Sequence, residues 1–179
     1  AQRGYVSFSG VMRPRENVCG LAETFVYAER ARRLTLLLGS GGANKVYWNG
    51  QQVFRDPAYR MPAPDRSAVL VSARKGANRL LVKVCTASAA WGFQLRVGEA
   101  DGGVPKGLRV QSTSDQALDI PAPQALPPTA KPPLMPLAVF EAAAAALPVK
   151  AEALADLATY LRATGSDDPA ERRALQFAT

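Results

Sequence analysis

Between Tyr5 and Val97, apolar residues recur at every second position in runs too short for a helix, and Gly, Pro, Asn or Ser closes most of the runs. An amphipathic helix would repeat every three or four residues, so the pattern predicts strands with one buried face. In YVSFSG, Val6 and Phe8 share a face; in ETFVYA, Phe25 and Tyr27 fall opposite Thr24 and Val26; in RLTLLLGS, Leu34, Leu36 and Leu38 fall together. Gly39-Ser40-Gly41-Gly42 reads as a loop. NKVYWNG then sets Val46 and Trp48 on one face, and Asn49-Gly50 supplies the positive φ angles of a two-residue type I′ hairpin turn into QQVFR. Sharing a face with Val46 favours core burial for Trp48 over a role as an aromatic binding tip. A loop holding Pro57, Pro62 and Pro64 leads to SAVLVSA, a Lys75-Gly76 turn, NRLLVKV with Leu80, Val82 and Val84 inward, and GFQLRV with Phe93, Leu95 and Val97 on one face. Eight short strands with no helical period among them predict a mainly β protein, an antiparallel two-sheet sandwich or jelly roll.

The composition changes near residue 111. Residues 1–110 carry 17 Lys+Arg and 7 Asp+Glu, a balance of +10, whereas residues 111–179 carry 5 and 8, a balance of −3; together they give the +7 of the chain. A basic first domain could meet phosphate, anionic polysaccharide or a membrane surface, or the charges could be a solvated surface, since no basic run exceeds two residues. Residues 121–136, PAPQALPPTAKPPLMP, hold seven of the fourteen prolines and read as an extended polyproline-II spacer. The alternative is a docking ligand around Lys131-Pro132-Pro133 for an aromatic-lined groove. Beyond it, Leu137, Phe140, Ala144 and Leu147 line one helix ending near Pro148, and Leu154, Leu157 and Leu161 line a second over 149–163, closed by Gly165. Asp168, Pro169 and Glu171 form the N-cap, first-turn proline and acidic third position of a further helix. The expected organisation is a sandwich over 1–110, a Pro-rich linker over 111–136 and a helical segment over 137–179, the chain reading as a fragment of something longer.

The sequence has no histidine and two cysteines, Cys19 and Cys85. Without imidazole there is no Ser-His-Asp or Cys-His pair and no common zinc site, so neither a metal nor any other cofactor is expected. The carboxylates of the sandwich are isolated in sequence, and neither cysteine opens a helix that would lower its pKa, so the chain is not expected to be an enzyme. Cys19 and Cys85 either form one disulfide, suited to an exported protein, or remain as buried thiols. No apolar run approaches the ~20 residues of a membrane-spanning helix. The chain starts at Ala1 without a leader, which fits either a cleaved export signal or an excised piece; an exported location is the expectation.

The blocks KVYWNGQQV, with Val46, Trp48, Asn49, Gly50 and Val53, and KGANRLLVKV, with Gly76, Asn78, Leu80, Leu81, Val82, Lys83 and Val84, are separated by a Pro/Asp loop and followed by WGFQLRV. Over residues 20–97 this order resembles the galactose-binding-like jelly-roll domains, accessory modules of bacterial glycoside hydrolases and large exported proteins. The resemblance implies a non-catalytic domain that, in some members, binds sugars through loops at one end of the sandwich or holds a structural calcium. Asp56 and Asp65 stand apart and the 39–44 loop has no carboxylate, so calcium is not expected here. The candidate ligand-binding residues are Tyr59 and Arg60 in the Pro-rich loop, and Trp91, for which core packing is the competing reading. ALADLATYLRATGSDDPAERRALQFA resembles a helical hairpin of the tetratricopeptide type, though without a second copy. The expected function is a binding or interaction module of an exported multidomain bacterial protein, recognising carbohydrate or a partner protein. The alternative is a structural spacer of a larger glycosidase-, protease- or transglutaminase-like enzyme whose catalytic part lies elsewhere. No specific nucleic-acid signal is present.

Overall fold

The structure, a computed structural model, describes residues 4–87, 91–113, 133, 135–146, 148 and 150–163. Nine strands lead into two helices: β1 (Tyr5–Ser7), β2 (Val18–Ala28), β3 (Arg32–Ser40), β4 (Ala43–Trp48), β5 (Gln51–Asp56), β6 (Ser67–Ala73), β7 (Gly76–Thr86), β8 (Gly92–Glu99), β9 (Leu108–Gln111), α1 (Pro136–Ala145) and α2 (Ala151–Ala163). They form two antiparallel sheets, one ordered β1-β8-β3-β6 and the other β5-β4-β7-β2-β9. This is the antiparallel two-sheet sandwich that the period-two pattern predicts.

The inward faces are those expected for the central strands. Leu34, Leu36 and Leu38 of β3 meet Val46 and Trp48 of β4 and Leu80, Val82 and Val84 of β7 in one core, joined by Val26, Val71 and Phe93. The Trp48 indole is part of that core and donates Nε1–H to the Ser72 carbonyl at 2.8 Å, so its polar edge is satisfied. Asn49 and Gly50 have φ of 49° and 83°, as a type I′ turn requires.

Four details differ from the sequence reading. A ninth strand, β9, pairs with β2, and β2 begins at Val18, well before ETFVYA. Its early half went unread because Gly20 occupies a core-facing position: a Cβ there would lie 2.9 Å from the Trp91 ring and 3.0 Å from Phe8. Gly39 and Ser40 are not loop but the end of β3, paired with Gln94 and Phe93, which leaves Gly41-Gly42 as the connection. Val6 and Phe8 do not share a buried face, because β1 stops at Ser7; Val6 is 41% exposed while Phe8 turns into the core against Trp91 and Phe93.

α1 opens with Pro136 in its first turn, where a missing N–H costs nothing. Leu157, Ala158 and Leu161 of α2 pack on Leu137, Phe140 and Ala144 of α1, and Phe140 meets Tyr160 with ring centroids 5.1 Å apart. The second helix starts at Ala151, two residues later than expected. The cap at Asp168, Pro169 and Glu171, the stop at Gly165, Leu147 and residues 121–132 of the Pro-rich run lie outside the described residues. Among the described residues no helix is long and apolar enough to cross a membrane.

Candidate functional site

On the outer face of the five-stranded sheet, register decides which side chains stand together. Ala43 lies opposite Cys85, Lys45 lies opposite both Arg55 and Lys83, and Cys85 lies opposite Cys19. These pairings bring Arg55, Lys45 and Lys83 abreast across β5, β4 and β7, roughly 5 Å from strand to strand. Facing like charges on one sheet face are destabilising, on the order of a few tenths of a kcal/mol per pair. None of the three cations has an ion-pair partner among the described residues, in contrast to Arg32 with Glu99, Arg60 with Asp56, Arg79 with Glu23 and Arg96 with Asp65.

The loop after β5 stands beside this row. Asp56 accepts a hydrogen bond from the Ala58 N–H at 3.0 Å and pairs with Arg60 at 3.4 Å, which folds the chain back directly after the strand. Further along, Arg66 donates to the Met61 carbonyl at 3.4 Å, and Asp65, with φ 52°, receives Arg96 from β8 at 2.7 Å. So tethered, the loop leaves Tyr59 55% exposed. Row and loop together enclose a hollow of about 180 Å³ walled by Ala43, Asn44, Lys45, Arg55, Asp56, Pro57, Tyr59, Lys83 and Cys85. That volume lies below the ~300 Å³ at which drug-sized ligand pockets begin, so the hollow fits one small unit or the end of a longer chain.

Cys19 and Cys85 are bonded, with Cα atoms 3.9 Å apart across the β2–β7 ladder, and Cys85 forms part of the wall. Asn44, 5% exposed, donates to the Gly42 carbonyl, and its side-chain oxygen is buried and has no donor among the described residues.

Of the three candidate ligand-binding residues, Tyr59 is in this wall and Arg60 stands behind it, its guanidinium on Asp56. Trp91 is elsewhere. It is 1% exposed, packs on Phe8 at 5.3 Å between ring centroids and donates Nε1–H to the Val84 carbonyl at 2.9 Å, so the core-packing reading is the one that describes its position. The wall residues missed in the sequence are Lys45, Arg55 and Lys83. The signal for one pair was present, since a two-residue turn at Asn49-Gly50 sets β4 against β5, but a bulge between Val46 and Tyr47 shifts the register before it reaches Arg55.

Asp56 and Asp65, the two carboxylates weighed for calcium, are separately committed to Arg60 and Arg96. Among the described residues no group of three or more Asp, Glu or Cys is placed to hold a metal ion. A second hollow, about 570 Å³, lies between the β2 and β9 ends around Glu29, Lys75 and Arg109, where Arg109 is stacked over the Tyr27 ring at 4.7 Å.

No protein family and no curated protein matches the sequence. Among the solved structures similar to part of this chain are two of a β-glucosidase from Kluyveromyces marxianus, one in complex with glucose and one selenomethionine-labelled. Identities are 18% and 17% and TM-scores 0.41 and 0.40, over 54% of this chain and 13% of those chains.

Proposed function

We propose that the chain is a non-catalytic binding module of an exported multidomain protein, and that it holds carbohydrate in the hollow between the cation row and the 57–64 loop. One observation carries this reading: a tyrosine ring, more than half exposed and set by a tethered loop, stands beside charged groups on the sheet. A flat apolar face next to polar groups is what a sugar ring needs, one surface for its C–H face and the other for its hydroxyls. The disulfide supports residence in an oxidising compartment. The helical segment, in which α1 and α2 pack on each other, serves in this reading as an adaptor that joins the sandwich to neighbouring domains of a bacterial protein, with the tetratricopeptide-like hairpin over 153–178 extending from α2.

The experiment is affinity electrophoresis of the full chain in gels holding a panel of neutral and acidic polysaccharides. Retardation by at least one polymer is expected, with Tyr59→Ala about tenfold weaker, the scale of one lost aromatic contact. Full retention of binding in Tyr59→Ala would move the site away from this hollow, and no retardation by any polymer would leave the spacer role as the better reading.

A further inference from the structure

Among the described residues the cation row takes part in no ion pair. Arg79 meets Glu23, Arg32 meets Glu99, and Arg96 meets Asp65, whereas Arg55, Lys45 and Lys83 face one another across three adjacent strands with no carboxylate between them. The acid nearest in the wall, Asp56, is engaged by Arg60 and the Ala58 N–H. Beyond Lys83 the row continues to Leu21, 57% exposed, and not to an acidic residue. Like charges held side by side on adjacent strands and lining one hollow make a site for an anion, because the sheet register already sets them together. A second feature of the wall is Tyr59, 55% exposed, whose ring offers a flat apolar face beside the cations.

We infer that this site takes an acidic polysaccharide: a carboxylate or sulfate group lies on Lys45, Arg55 and Lys83, and the sugar ring rests on Tyr59. The inference rests on the reading of the hollow as a carbohydrate site and adds the charge of its ligand. Three cations span about 10 Å, two strand spacings, which suits one acidic unit and its neighbour; a nucleic-acid backbone would need a longer basic track.

The test is isothermal titration of the full chain at low and at moderate salt with polygalacturonate, chondroitin sulfate, the carboxyl-reduced neutral form of polygalacturonate, and a single-stranded oligonucleotide. At least one acidic polysaccharide should bind, the neutral polymer should bind at least about tenfold less, and affinity should fall as salt rises. The variant Lys45→Gln/Lys83→Gln should lose about tenfold or more, while Lys106→Gln, outside the hollow, should bind as the parent does. The double variant should also melt no lower than the parent, since it removes a repulsion, so lost binding cannot be put down to misfolding. Carboxylate and sulfate sources are separated by which polymer binds. Equal binding of the neutral polymer would overturn the acidic ligand and leave the carbohydrate site standing. Oligonucleotide binding as strong as that of the acidic polysaccharides would replace carbohydrate with a phosphate backbone, and silence from every ligand would overturn both readings.

Discussion

Asn78 shows how much one side chain organises. It is fully buried at one end of the sandwich. Its amide donates to the carbonyls of Val26, Arg74 and Gly76, and its oxygen accepts from the Arg74 N–H and from the Asn49 side chain. Asn49 in turn accepts from the Arg79 N–H, so the Asn49-Gly50 hairpin turn and the turn that carries the chain from β6 to β7 are tied to each other and to β2. Replacing Asn78 by Ala leaves several of these groups buried without partners. Asn78→Ala should therefore cost about 3 kcal/mol in urea denaturation, the penalty of one or two unsatisfied buried groups. Asn49 has two uses, the positive φ of the turn and this bridge, of which the turn alone was readable in the sequence. Gly50→Val, at φ 83°, should cost about 1–2 kcal/mol by forcing a branched side chain into the left-handed region. The role of Asn78 as a bridge was not legible, because Val26 and Asn49, the partners that make it one, lie 52 and 29 residues away. Gly20 was misleading for the opposite reason: a residue chosen for its missing side chain sends no hydrophobic signal.

Strands announced themselves in proportion to their apolar side chains. β3, β4 and β7, which build the core, were placed correctly with their inward faces. β9 was missed because LRVQ is a short edge strand with Val110 and Arg109 exposed, and burial leaves no trace in such a segment. The Pro-rich loop announced itself through its prolines, and it supplies Tyr59 to the site. The cation row did not, since it exists only once β4 lies between β5 and β7, a relation no single segment contains. The disulfide belongs to this scale as well. It clamps β2 to β7 over a sequence separation of 66 residues, which in the chain-entropy model stabilises the fold by about 4 kcal/mol. Cys19→Ser/Cys85→Ser should lose most of that amount in denaturant titration, and the unfolded, unreduced parent should show no free thiol.

In the whole molecule two apolar clusters stand apart. The sandwich core draws on residues from Phe8 to Leu108, and the helical cluster on residues from Leu137 to Leu161. A chain shortened to residues 1–113 should therefore keep the cooperative unfolding of the sandwich, with the same denaturant midpoint followed by tryptophan fluorescence. A lowered midpoint would mean that the helical segment contributes to the stability of the sheets. The strand order has a further consequence, in time rather than in energy. β4 and β5 are the only paired strands, among the described residues, that are also neighbours in sequence; β3 must wait for β6, and β1 and β2 for β8 and β7. As the chain lengthens from its first residue, the hairpin at Asn49-Gly50 is thus the only piece of either sheet that can close before Ser67 arrives, and every later pairing has a longer loop to close. If that hairpin seeds the fold, Gly50→Val will act mainly by slowing refolding, with little change in the unfolding rate.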